Sequence, residues 1–287
     1  MSIIKAALVQ HSHKGSDTRK YIAEKIGEAK GARSDLVCLQ ELHDYPYFCQ
    51  VENEGFFDLA CNFENDIDYY ASLSKKHGIV LVCSLFERRA AGLYHNTAVV
   101  LDNGKLAGKY RKMHIPDDPN FYEKYYFTPG DIGFSPIDTS IGRLGVLVCW
   151  DQWYPEAARI MALNGAEVLI YPTAIGWFRR DKKELKKMQL EAWVAIQRAH
   201  AIANALPVLG INRVGFEASP SSGGIQFWGN SFTFGCFGQA LCKFGGREDQ
   251  IIYATLDLGD IEKTRRAWPF LRDRRIDYYG DLLKRFR

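Results

Sequence analysis

The sequence predicts a single layered α/β domain. Strand-like apolar runs alternate with helix-periodic stretches through both halves of the chain, which is the order that builds sheets covered by helices. The strand runs are apolar on consecutive residues, as in strands buried on both faces. No low-complexity linker divides the 287 residues, a length that one large α/β domain can absorb.

Ile3 to Gln10 is apolar apart from Lys5 and the terminal Gln10 and reads as a buried strand. Asp17 to Lys30 carries Ile22, Ala23, Ile26 and Ala29 at helical spacing on an otherwise polar background. Asp35 to Glu41 is a second strand ending on Glu41, Asp66 to Lys76 a helix, and Gly78 to Glu87 a third strand. Leu93 to Leu101 and Gly104 to Lys112 flank Asn103-Gly104, a strong hairpin signal. His114 to Gly130 holds three prolines and no period, an irregular loop of a length that usually has a functional reason.

Gly145 to Val148 is a short strand running into Cys149, and Pro155 opens a helix through Leu163. Glu167 to Tyr171 is a strand leading into Pro172–Trp177. Lys182 to Leu206 is a long helix expected to bury the stripe Leu185, Met188, Ala192, Ile196, Ala199, Ile202 and Leu206. Val208–Asn212, Ser231–Phe234 and Ile251–Leu256 are strands, Gly223–Asn230 reads as a pocket-rim loop, and a last helix runs from about Asp260 to Ala267.

Composition narrows the function classes. Hydrophobic residues are 47% and charged residues 25%, an ordinary globular mixture, and the longest apolar runs are too short to span a bilayer. No charged-then-apolar leader precedes the first strand, so secretion is not expected. A formal charge of +3 gives no case for nucleic acid. The seven cysteines are odd in number and form no Cys-x-x-Cys pair, which argues against a disulfide framework or a zinc site and for a reducing cytoplasm. The basic clusters after Lys263 are interleaved with aromatics and acids, as in a structured tail packed on a neighbour.

Glu41, Lys112 and Cys149 each sit at or just past the carboxyl end of a predicted strand, where layered α/β folds bind ligands. Each alone has a plain structural reading: a solvated charge, a solvent-facing basic run, a buried core thiol. Cys149 also precedes a helix, whose free N–H groups and positive end favour a thiolate. Together the three supply a proton acceptor, an electrostatic clamp and a nucleophile.

Leu39-Gln-Glu41, Lys109-Tyr-Arg-Lys-Met-His-Ile-Pro116 and Val148-Cys-Trp-Asp-Gln-Trp-Tyr-Pro-Glu156 resemble, in order, the three catalytic motifs of the nitrilase superfamily of carbon–nitrogen hydrolases. The resemblance covers almost the whole chain and implies a four-layer αββα sandwich, with residues 1–287 as one hydrolase domain. It implies Glu41 as general base and acid, Lys112 as oxyanion stabiliser and Cys149 as nucleophile, supported by Glu123 in the loop after the lysine. The backbone N–H of Trp150 is the implied oxyanion donor. A plain alternative for Glu123 is a loop salt bridge to Lys124 or a nearby arginine. No cofactor or metal is called for. The family pattern also implies a homo-oligomer whose tail, 260–287, reaches a partner subunit.

Cys149 to Ala166, Tyr171 to Gly176 and Trp268 to Arg275 are similar to the N-carbamoylputrescine amidase branch, which releases putrescine, carbon dioxide and ammonia. Branches acting on N-carbamoyl amino acids place arginines after the cysteine motif. Here Asp151 to Tyr154 holds none, although Arg179 or Arg180 could substitute. Asp151–Tyr154 is expected to form part of the wall that selects an amine over an acid. An alkylammonium tail would seek a carboxylate or an aromatic face, for which Asp117, Asp118, Trp153, Trp177 and Glu184 are candidates. The alternative is an ω-amidase or β-ureidopropionase-like activity on a carboxylated small molecule.

Overall fold

Successive side chains of a strand point to opposite faces, so a strand apolar at every position must be covered twice. Along Ile3–Gln10, Ala6 and Leu8 enter one apolar cluster while Ala7 and Val9 enter another. Leu36–Leu39 and Val80–Ala90 divide in the same way, Cys38 and Val82 to one side and Leu39 and Leu81 to the other. The first cluster also contains Leu144, Val146 and Ile170, so it is the seam between two sheets. The second contains Ile22, Ile26, Ile67 and Tyr70, from the outer helices Thr18–Gly31 and Phe63–His77.

The computed structural model describes residues 3–219 and 223–286. One sheet has six strands in the order Gln250–Asp257, Ile3–Gln10, Leu36–Leu39, Val80–Ala90, Leu93–Asp102, Lys105–Arg111. The facing sheet has five, in the order Phe232–Phe234, Val208–Asn212, Val168–Thr173, Gly142–Val146, Ile137–Thr139. Helices Pro155–Leu163 and Lys183–Asn204 lie over the second sheet. The result is the expected αββα sandwich. Parallel pairing of Ala6 with Leu36 and of Leu36 with Val80 aligns the carboxyl ends of these strands at one edge. The Asn103-Gly104 turn has positive φ at both residues, as a two-residue hairpin requires. No helix among the described residues is long and apolar enough to cross a membrane.

Two elements differ from expectation. On Lys183–Asn204 the buried residues are Trp193, Gln197, His200, Ala201 and Asn204, while Leu185 and Met188 are 43% and 64% exposed. The helix turns a polar and aromatic face inward because Gln152 lies beneath it. Trp193 Nε1 and Gln197 Nε2 each donate to Gln152 Oε1 at 2.7 Å, and His200 Nε2 lies 2.7 Å from the Gln152 carbonyl. The segment read as a rim loop contains the strand Ile225–Trp228, central to a small sheet with Val214–Glu217 and Gly176–Phe178. One of its partners, Gly176–Phe178, is distant in sequence, so the glycines at 223 and 224 suggest a loop without showing the sheet that follows it.

Candidate active site

The strand Leu36–Leu39 stops two residues before Glu41, which lies in a tight turn whose next residue, Leu42, has φ 47°. Glu41 is fully buried, and its Oε1 accepts from Asn96 Nδ2 at 2.8 Å and Lys112 Nζ at 2.7 Å. Its Oε2 has no hydrogen-bond partner among the described residues, which leaves one oxygen open to receive a proton.

Lys112 follows the last strand of the first sheet. Its N–H donates to Asn96 O at 2.9 Å and its carbonyl accepts from Gly130 N at 2.8 Å. A side chain at Gly130 would strike the Arg111 carbonyl, so glycine lets the long loop return against the lysine. Lys112 Nζ reaches a second buried carboxylate, Glu123 Oε2, at 2.6 Å. Glu123 opens the short helix Glu123–Tyr126 and also accepts from Tyr47 OH at 2.6 Å. The alternative pairing of Glu123 with Lys124 is therefore set aside: the buried partner is Lys112.

Cys149 opens the one-turn 3₁₀ helix Cys149–Trp153, with φ 43°, and is 5% exposed. It begins a helical turn rather than ending the strand, which stops at Val146. The Sγ lies 4.0 Å from the Ala174 carbonyl. Burial pushes the thiol well above its ordinary value; Glu41 and Glu123 push the same way and Lys112 opposes them. Burial therefore works against the thiolate that the helix end was expected to favour. Burial also pushes Glu123 up to about 7, with Lys112 pulling down and Glu41 pushing up. Lys112 is held well above the ordinary lysine value: burial disfavours its charge, but Glu123 and Glu41 overcome that.

A cavity of about 380 Å³ opens over the thiol. Cys149 and Glu123 lie in its wall together with Trp150, Trp153, Trp228, Phe121, Phe178, Asp118 and Asp181. Among the described residues no lysine or arginine lines it. Asp118 is exposed at the start of a turn in which Phe121 N donates to Asp118 O at 2.8 Å. Pro119 followed by Asn120 at φ 66° suits a type II turn. Asp181 accepts from Phe178 N at 2.9 Å.

Of the residues proposed for the substrate tail, Asp118 and Trp153 line the cavity; Asp117, Trp177 and Glu184 do not. Trp177 is in the core, donating from Nε1 to Lys186 O at 3.1 Å and packing on Trp228. Arg179 and Arg180 stay outside, set over the rings of Phe216 and Phe178. Asp151 is also not wall. It is fully buried, and its carboxylate accepts from Val148 N, Tyr110 OH, His114 N and His114 Nδ1. Asn96, Tyr47, Arg213 and Asp181 went unnoticed in sequence. Only Asn96 had a local signal, an amide in the polar stretch His95–Thr97 that precedes the apolar run Ala98–Leu101 of its strand.

Comparison with known proteins agrees with the fold. A family model described as carbon–nitrogen hydrolase matches residues 5–266. A citrullinase of Francisella tularensis is 38% identical, with all of both chains covered. An N-carbamoylputrescine amidase of Solanum lycopersicum is 41% identical over 91% of this chain and 88% of its own. A crystal structure of a carbon–nitrogen hydrolase from Helicobacter pylori superposes with TM-score 0.97 at 56% identity, covering 99% of this chain and 100% of that one.

Proposed function

The chain belongs to the carbon–nitrogen hydrolase family, and from that premise we propose that it hydrolyses the ureido group of N-carbamoylputrescine to putrescine, carbon dioxide and ammonia. It is an amidohydrolase acting on C–N bonds. In this reading Cys149 Sγ attacks the ureido carbonyl carbon while its proton passes to Glu41, whose Oε2 is unpartnered among the described residues. The oxyanion forms against the Lys112 ammonium and the Trp150 N–H. Glu41 returns the proton to the departing nitrogen, ammonia leaves, and an N-alkylcarbamoyl thioester remains on Cys149. Water, giving a proton to Glu41, then attacks the thioester carbon. The C–S bond breaks, the sulfur is reprotonated, and the released carbamate loses carbon dioxide to give the amine. Glu123 keeps Lys112 charged and in place.

The observation that carries the substrate assignment is the cavity wall: besides Glu123 it has two carboxylates, Asp118 and Asp181, several aromatic faces, and no lysine or arginine among the described residues. Such a wall suits an alkylammonium tail and offers nothing to a carboxylate. A second reading, citrulline, is supported by the full-length relative of that activity; its α-ammonium would find the same acids, its carboxylate no partner. Ammonia release from N-carbamoylputrescine, citrulline and N-carbamoyl-β-alanine separates the readings. We expect kcat/KM highest for the first, and Asp118→Asn to raise its KM by about tenfold, about 1.4 kcal/mol of lost binding, with kcat little changed. Preference for the acid overturns the assignment. Cys149→Ala should lower turnover by more than about 10⁴-fold with the fold unchanged; retained turnover removes the thiol from the mechanism.

The same reading includes a homo-oligomer in a reducing cytoplasm. Supporting it, Leu185 and Met188 on the long helix and Ile276, Tyr278 and Leu283 in the 260–287 tail are apolar and exposed; Arg287 lies outside the described residues. A monomeric mass by light scattering would sink the assembly.

A further inference from the structure

We infer that Asp151 is a positioning residue that holds the thiol turn in register with Lys112; this rests on the proposed roles of Cys149 and Lys112. The two functional groups come from different sheets. Lys112 follows a strand of the first, and Cys149 follows a strand of the second. Sheets packed only through apolar side chains can slide by fractions of an ångström at low cost, because dispersion and burial are not directional. Attack by sulfur with the oxyanion on the lysine tolerates little of that, and a displacement of about 1 Å can cost about 100-fold in rate.

Asp151 ties the two sheets by directional bonds beside the thiol and the lysine. Oδ2 accepts from Val148 N at 3.0 Å, the residue before the thiol, and from Tyr110 OH at 2.8 Å, two residues before Lys112. Oδ1 accepts from His114 N at 3.0 Å and His114 Nδ1 at 2.7 Å, two residues after Lys112. The His114 ring is further held by stacking on Tyr154, with centroids 3.7 Å apart and planes 6° from parallel. One carboxylate therefore grips both sides of the lysine and the near side of the cysteine, and all four of its acceptor positions are used. It does so while fully buried and outside the cavity wall, so it does not touch substrate. An N-terminal cap for a one-turn helix would need only the bond to Val148 N. The three bonds to residues flanking Lys112 are what capping leaves unexplained.

Asp151→Asn tests the role, because an amide keeps the volume but sets an NH₂ against donors that now meet an oxygen. We expect kcat to fall by about 100-fold with KM within threefold, while circular dichroism and solution mass stay those of the wild type. Tyr110→Phe removes one of the four bonds and leaves the carboxylate. Its kcat should fall by about threefold at unchanged KM, and combined with Asp151→Asn the losses should be less than multiplicative, since both act on one carboxylate. Should the Asn variant fail to fold, the Phe variant alone decides. Wild-type kcat per folded molecule in either folded variant, whatever the loss in Tm, overturns the inference by making Asp151 merely structural. A turnover-competent Cys149→Ala enzyme would instead overturn the proposed chemistry, so the two failures are distinguishable.

Discussion

Leu42, in the turn that carries Glu41, and Cys149, in the turn that carries the thiol, have φ of 47° and 43°. A left-handed conformation costs a non-glycine residue roughly 1–2 kcal/mol and persists where the surroundings over-determine it. The surroundings are buried ions of opposite sign. At Leu42 the turn leaves carbonyls without strand partners, and Arg213 collects them: Nη2 donates to Glu41 O at 3.2 Å and Leu42 O at 2.9 Å, and Nη1 to Tyr45 O at 3.0 Å. At Cys149 the turn leaves an N–H, and Asp151 accepts it. The sign of each buried charge follows from which half of the peptide group the turn orphans. The braces also differ in origin. Asp151 is two residues from the thiol, whereas Arg213 arrives from the other sheet, beyond the far end of Val208–Asn212.

The largest expected effect is therefore at the long-range brace. Arg213→Met would leave two buried carbonyls, that of the half-buried Tyr45 and the Glu217 carboxylate, 2.6 Å from Nη1, without their cation. Removing one partner of a buried ion pair costs about 3–5 kcal/mol, which urea unfolding would measure. Turnover per folded molecule should fall as well, because the Glu41 turn loses its support. A cost below about 1 kcal/mol, the range of exposed pairs, would mean that the two turns are not braced alike.

That contrast in distance separates what could be read in the sequence from what could not. The strands were legible because consecutive apolar runs are local properties, and the αββα layering and the Glu41, Lys112 and Cys149 positions were legible through the resemblance that the three motifs carry. Glu123 was legible through its motif. Arg213, Tyr47 and Gly176–Phe178 were not, since each takes its role from partners remote in the chain. Asp151 was visible but misassigned to the cavity wall: its place in the turn after the thiol is local, whereas its partners Tyr110 and His114 are supplied by the other sheet. The long helix misled for a related reason. Its apolar stripe is real, but burial went to the face that satisfies Gln152.

Glu123 tests the electrostatics between the two turns. Its carboxyl lies at about 7 instead of 4.5, so between these values the folded chain binds a proton that the unfolded chain has released. Stability from this group is therefore full below pH 4.5 and is lost as pH rises through 7, by on the order of 3 kcal/mol. Glu123→Gln does not titrate. Relative to wild type its unfolding free energy should improve by about that amount between pH 4.5 and pH 8, whatever the constant offset from the lost bond to Lys112. Urea unfolding at four pH values across the window gives the two slopes; parallel curves would contradict the raised carboxyl.

Tyr47 asks whether the brace at Leu42 reaches the second carboxylate. Its N–H donates to Glu217 Oε2 at 2.6 Å, the acid that pairs with Arg213, and its hydroxyl donates to Glu123 Oε1 at 2.6 Å. A hydrogen bond donated to an ionised carboxylate favours the ionised form, so this bond lowers the proton affinity of Glu123. Tyr47→Phe keeps the ring and its packing on Phe121 and Phe227 but removes the donor. The Glu123 carboxyl should then rise above about 7, and the stability cost should be about 1 kcal/mol. That cost should grow with pH, since the ionised carboxylate depends on the phenol more than the protonated acid does. A penalty that is independent of pH from 5 to 8 would assign the loss to packing and confine the Arg213 brace to the Glu41 turn alone.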